Sequence, residues 1–186
     1  DAITGEGEDV QRLNTTASGQ GRSVGVEFLI RKRFGDWLHG WLTYTLSQSQ
    51  RRSSEGKWEL FDFDQTHILN LAWSFRLPWH WTIGVRYRLT SGNPTDRIVG
   101  AIYDADSDDY SPNYVGTDRL PMFHQLDIRI DKRFVFDTWM LEIYLDIQNV
   151  YYAENAEFYT YSYDYAERSQ VGGLPILPTL GLKAVF

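Results

Sequence analysis

The residues best suited to chemistry in this chain of 186 residues are the run Asp104-Ala105-Asp106-Ser107-Asp108-Asp109. Its alternating carboxylates could converge on calcium, a hard cation that takes several oxygen ligands from one flexible loop, with Asp104, Asp106 and Asp108 as the candidate ligands. The run departs from the EF-hand pattern at the sixth position, where Asp109 replaces glycine, and at the twelfth, where Val115 replaces glutamate. A solvated acidic loop is the competing reading. A second group is aromatic: Tyr103, Tyr110, Tyr114, Tyr159, Tyr161 and Tyr163 fall in two long segments. Tyrosines so placed could stack on a sugar or an aromatic chelator, or could pack the segments onto one another. Signatures of covalent catalysis are missing, and no enzyme is predicted. His39, His67, His80 and His124 lie on separate segments without ligand spacing, and there is no G-x-S-x-G nucleophile turn. Gly19, Gly21 and Gly25 miss the dinucleotide fingerprint by one residue and lead into a strand pattern instead of a helix. Asn14-Thr15-Thr16 is a glycosylation sequon.

The elements that must position these groups are strands. Apolar residues alternate with polar ones in seven segments: Val24 to Ile30, Leu42 to Leu46, Leu69 to Leu77, Trp81 to Leu89, Leu126 to Ile130, Leu141 to Ile147, and Leu180 to Phe186. A period of two over segments of this length indicates half-buried strands, and helical spacing fits none of them better. The connections alternate too. Short ones lie near Phe34–Trp37, Pro78–His80 and Val135–Thr138, and long ones near residues 51–63, 92–122 and 152–175. Tight turns at one end of a sheet and long loops at the other are the layout of an outer-membrane barrel.

Composition agrees with that layout. The chain carries 18 basic and 25 acidic side chains, a net charge of −7, which excludes an electrostatic nucleic-acid binder. The acidity is uneven: six aspartates against two arginines give −4 in residues 92–122, and four acids against one arginine give −3 in residues 152–175. Cysteine is absent, so disulfides, thiolate zinc sites and cysteine nucleophiles are ruled out. Aromatics make up 16% of a chain that is only 42% hydrophobic. Trp37, Trp41, Trp79, Trp81 and Trp139 gather beside the short turns, where amphipathic rings would form an interfacial belt. Charges such as Arg86, Asp127, Arg129, Arg133, Glu142 and Asp146 occupy the other face, as a wet lumen requires. A soluble sandwich with tryptophans in its core is the alternative. No stretch reaches the roughly 18 apolar residues of a transmembrane helix.

Four stretches carry a resemblance. They are Gly25-Val26-Glu27 opening a strand, Leu126-Asp127-Ile128-Arg129 leading into Lys132-Arg133-Phe134, Asp146-Ile147-Gln148-Asn149-Val150, and Leu180-Gly181-Leu182-Lys183-Ala184-Val185-Phe186 at the end. In their order and spacing, residues 20–186 resemble the C-terminal part of a TonB-dependent outer-membrane receptor, while residues 1–19 read as an extracellular loop or the start of a first strand. The resemblance implies energised uptake of a siderophore, cobalamin or oligosaccharide. It also implies outer-membrane lipid as surroundings, in a Gram-negative bacterium, and the TonB complex as a partner acting through a plug domain not seen in this sequence.

Parity adds to this. If Phe186 ends on the periplasmic side, seven strands put the start of the first one outside, so an upstream strand is expected. An eighth strand over residues 8–17, closing a small barrel that serves as an adhesin or structural protein, is the rival. A barrel hydrolase using His67 or His124 at the rim is a more distant one. Phe186 on its alternating strand looks like the signal read by the barrel-assembly machinery through edge pairing. With Asp137-Thr138 as a two-residue turn, the register sets Arg133 opposite Glu142 and Arg129 opposite Asp146, pairs that would neutralise the lumen wall.

Overall fold

The structure, a computed structural model, describes residues 19–186. The expectations for residues 1–19, the strand over 8–17 and the sequon at Asn14 lie essentially outside these. The strands are β1 (Gly21–Phe34), β2 (Leu38–Arg52), β3 (Trp58–Leu60), β4 (His67–Leu77), β5 (Trp81–Thr90) and β6 (Pro94–Asp104). They continue as β7 (Asp109–Arg119), β8 (Phe123–Val135), β9 (Met140–Gln148), β10 (Ala156–Tyr161), β11 (Arg168–Gly172) and β12 (Leu177–Val185). The chain is all-β and antiparallel. One sheet runs in the order β1-β2-β4-β5-β8-β9-β12, with β3 attached to β2, and these seven path strands are the seven segments of alternation. The sheet is open, with β1 and β12 as its edges.

Alternation along each strand becomes a division between two faces because every ladder keeps register. One row across the sheet reads Ile30, Leu42, Leu71, Tyr87, Leu126. Another reads Phe34, Leu38, Phe75, Ile83, Ile130, Leu145, Leu180. The opposite face begins one residue along: Thr43, Asn70, Arg88, Gln125, and below it Arg86 and Asp127. A one-residue slip would exchange the two faces, so the pattern itself fixes the pairing.

Among the described residues nothing covers the apolar face. Among the described residues Leu38, at 9% exposure, is the one buried apolar side chain, whereas Leu180 and Leu182 stand 71% and 69% exposed. The sheet therefore has no core of its own. The close approach of β2 to β4 needs Gly40, where a Cβ would lie 2.5 Å from the Ala72 carbonyl oxygen and 2.9 Å from the Trp73 ring.

The three short connections are as expected. Phe136 N–H donates to the Trp139 carbonyl at 2.9 Å, closing a two-residue turn at Asp137-Thr138. In the β4–β5 turn Trp79 and His80 both adopt positive φ, 57° and 61°, the left-handed geometry that hairpin twist favours but that usually falls to Asn and Gly. Lys132 braces this turn by donating from Nζ to the Trp79 carbonyl. The long connections differ from expectation: residues 94–119 and 156–172 fold into the hairpins β6–β7 and β10–β11, and residues 58–60 add a short strand to β2. Trp41 also departs from the belt, because it shares its row with Ala72 and Arg86 on the polar face. Its neighbour Leu42 holds the apolar side.

Candidate functional site

The long-loop end carries the site, and two buried polar nodes build it. The first ties the β6–β7 hairpin to the chain that enters β4. Asp64, only 1% exposed, accepts from the Ser49 N–H at 2.5 Å, from Thr66 Oγ1 at 3.1 Å and from Arg119 Nη2 at 2.5 Å. Arg119 Nη1 also donates to the Asp64 and Gly92 carbonyls, each at 2.9 Å. Burial raises the Asp64 carboxyl, but the Arg119, Ser49 and Thr66 donors outweigh it and hold the group below the usual carboxylate range.

The second node sits where β8 and β9 reach the same end. Asp127, 3% exposed, accepts from Arg86 Nε at 2.8 Å, Gln125 Nε2 at 2.6 Å and the Asn149 N–H at 3.0 Å. Asn149 has φ 53° and uses its amide on three backbone groups: it accepts from Ala153 N–H at 2.8 Å and donates to the Ala153 and Leu174 carbonyls. Asn155 extends the β8 ladder, accepting from the His124 N–H at 2.9 Å and donating to its carbonyl at 3.0 Å. Replacing Asn149 by glycine keeps the left-handed backbone and removes these bonds. The expected loss is about 2 kcal/mol in urea unfolding, with Asn149→Ala losing roughly 1 kcal/mol more for its added backbone strain. Equal effects from the two variants would show that backbone geometry contributes nothing there.

On these nodes stand the two hairpins. Tyr103 and Tyr110 pack at 5.1 Å, Tyr110 meets Tyr163 edge-on at 5.4 Å, and the Tyr163 hydroxyl donates to the Asp108 carbonyl at 2.8 Å. Three of the six candidate tyrosines thus join one hairpin to the other. Tyr161 pairs with Tyr165, Tyr159 lies under the Arg168 guanidinium at 4.1 Å, and Tyr114 stands apart and exposed. A cleft of about 360 Å³ opens between the hairpins.

The acidic run forms the tip of β6–β7. Asp104 accepts from the Asp106 N–H at 3.0 Å, and this bond, with those from Ser107, holds its carboxyl below the ordinary value. Asp108 accepts the Tyr103 hydroxyl at 2.7 Å. Two of the three candidate calcium ligands are therefore occupied in local hydrogen bonds, and no group of three metal-holding side chains occurs among the described residues.

On the polar face of the main sheet, the register places Arg133 opposite Glu142 and Arg129 opposite Asp146. Arg133 reaches Glu142 at 3.3 Å. Arg129 does not span to Asp146. It bonds Asp131 on its own strand at 2.8 Å and lies 3.8 Å above the Tyr144 ring, which itself covers Gly181. At the turn end the Phe136, Trp139 and Phe186 rings stack in series, at 4.5 Å and 5.9 Å, with Phe186 otherwise exposed. His67 and His124 mark the other margin of the apolar face, each bonded through Nδ1 to a tyrosine hydroxyl, Tyr44 at 2.9 Å and Tyr151 at 2.8 Å.

The sequence reading passed over Asp64, Arg119 and Asn155. Asp64 and Arg119 are 55 residues apart and lie in segments without periodicity, so no local signal joins them. Comparison with protein-family models, with curated proteins and with solved structures finds no match to this chain.

Proposed function

We propose that the seven-strand sheet is part of the wall of an outer-membrane β-barrel, the C-terminal part of a TonB-dependent receptor that takes up a large, scarce nutrient. One observation carries the membrane half of this reading: a continuous apolar face with no protein layer over it among the described residues, backed by a face of charges and amides. In water such a face costs roughly 25 cal/mol per Å² left uncovered, and lipid relieves that cost without a core. Dimensions agree. The ten steps from His67 to Leu77 rise about 33 Å along the strand. At a tilt of about 40° that spans on the order of 25 Å, the height of the apolar band in such barrels. Lys132, set among Trp81 and Phe134, and Lys32 beside Phe34 interrupt the apolar face only at its turn-end margin. Long cationic side chains there reach the headgroups.

The receptor half rests on the order and spacing of the four motifs between Gly25 and Phe186, and on an open sheet whose free edges suit a segment of a larger wall. In this reading the hairpins face outward and capture the nutrient by non-covalent contact. A plug drawn by TonB then releases it inward.

Two measurements test the two halves. With Trp73 as the sole tryptophan in vesicles of brominated lipid, strong quenching is expected, and with Trp41 alone, weak quenching; equal quenching of the two rejects the membrane wall. The coding sequence upstream of Asp1 is expected to encode a plug-like domain and about fifteen further strands. A signal peptide directly before Asp1 rejects the receptor.

A further inference from the structure

The two outer hairpins are acidic as a whole, yet their few basic side chains are not scattered. Residues 92–122 and 152–175 contain three between them, Arg97, Arg119 and Arg168. Arg119 is committed to Asp64. The other two line one cleft, of about 360 Å³, together with Ile98, Asp118, Tyr161 and Tyr165. Arg168 is 3.8 Å from Asp118, a loose pair, and Arg97 takes part in no ion pair among the described residues. The cleft thus sets two guanidiniums against a single carboxylate, within a rim that elsewhere repels anions.

We propose that this cleft binds a sugar ring that carries an oxyanion, either carboxylate or phosphate. The guanidinium fork matches both anions in two-point geometry, and among the described residues Arg97 has no ion-pair partner to give up. Tyr161 and Tyr165, with centroids 5.8 Å apart, supply ring faces for the C–H surface of a sugar. Asp118 sets the remaining requirement. As an ionised carboxylate it only accepts hydrogen bonds, so a bound anion beside it must bring O–H donors, which a hydroxylated ring does and a bare aromatic acid does not. The volume lies in the range of small-ligand sites and admits one or two rings. The inference deepens the uptake reading by naming a substrate class, but binding itself needs only the two hairpins.

The test is calorimetric titration of the full chain in detergent with glucuronic acid and with glucose 6-phosphate, glucose serving as the neutral control. At least one acid is expected to bind at least about tenfold tighter than glucose. Which of the two does so tells carboxylate from phosphate. Arg97→Gln should remove that advantage and leave glucose unchanged. Arg168→Gln should weaken the acid likewise, but its contact to Asp118 also joins the hairpins, and its contact to Tyr159 lies within β10–β11. Near-UV circular dichroism of the tyrosines therefore accompanies it, and Arg97→Gln is the deciding variant. Acids that bind no better than glucose, or that bind Arg97→Gln as well as the parent, overturn the proposal. The Trp73 quenching measurement in brominated-lipid vesicles, run alongside, keeps the outcomes apart: quenching there with no acid binding removes the cleft and leaves the membrane wall standing.

Discussion

Replacing Asp64 by alanine is expected to destabilise the long-loop end by about 3 kcal/mol, because it leaves the partly buried Arg119 guanidinium without its counter-charge and the Ser49 N–H without its acceptor. The estimate sits at the low end for a broken buried pair, since Arg119 keeps 30% side-chain exposure and can turn outward. The damage should be local. Asp64 joins β2, the approach to β4 and the end of β7, so amide exchange should quicken at Ser49 and along residues 94–119 while the β8–β9 ladder stays protected. Arg119→Ala should cost a similar amount, and the double variant clearly less than the two together, as required when each single change leaves the other partner unpaired. Additive losses would mean that the two residues act separately.

The same carboxylate predicts a pH dependence with a definite sign. The folded-state pKa of Asp64 is lowered by its Arg119, Ser49 and Thr66 donors despite burial. Its contribution is therefore complete above the unfolded value of about 3.9 and is lost as pH falls through the lower folded value. Amide protection of the β6–β7 hairpin should hold from neutrality to about pH 4 and collapse below it. In Asp64→Asn the baseline should be lower and this acid limb absent. An unchanged acid limb in Asp64→Asn would assign it to other carboxylates.

The seven strands of the main sheet were legible because each obeys one rule over most of its length, apolar at every second residue, and because the turn at Asp137-Thr138 is short enough to count across. That count gives the Arg133–Glu142 and Arg129–Asp146 register found in the ladder. It could not give the rotamer of Arg129, which Tyr144 and Asp131 decide. The β6–β7 and β10–β11 hairpins were not legible. Both of their faces are wet, so Tyr, Asp and Ser alternate without an apolar side, and irregularities between Asp96 and Ile98 and between Ile98 and Ala101 break the period in β6. Trp41 was misplaced for a simpler reason: nearness to a turn does not determine a face, whereas parity with Leu42 does. Asn149 did carry a signal, since Asn is, after glycine, the residue that most readily takes a left-handed backbone at the end of a strand.

Leu71→Arg is expected to be the most damaging single change on the sheet, and its comparison with two other arginine variants decides what the apolar face meets. Leu71 lies mid-band, between Leu42 and Tyr87. A guanidinium at the centre of a bilayer costs about 2–4 kcal/mol even after snorkelling, a factor of roughly 30 to 1,000 in the folding equilibrium. Asn70→Arg, one residue away, points to the polar face beside Arg88 and Thr43, and should cost no more than about 0.5 kcal/mol. That pair alone separates the faces but not lipid from a protein partner, because a soluble sandwich would also reject Leu71→Arg. Depth makes the distinction. Leu77 lies on the same face at the turn-end margin, opposite Trp81 and one strand from Lys132, where headgroups would receive the charge, so Leu77→Arg should cost only about 0–1 kcal/mol in vesicles. A bilayer imposes that gradient through the distance to water at its edge. A covering protein layer imposes instead a penalty that follows local packing, so urea unfolding in vesicles that finds Leu77→Arg as costly as Leu71→Arg would remove the membrane from the account of this sheet.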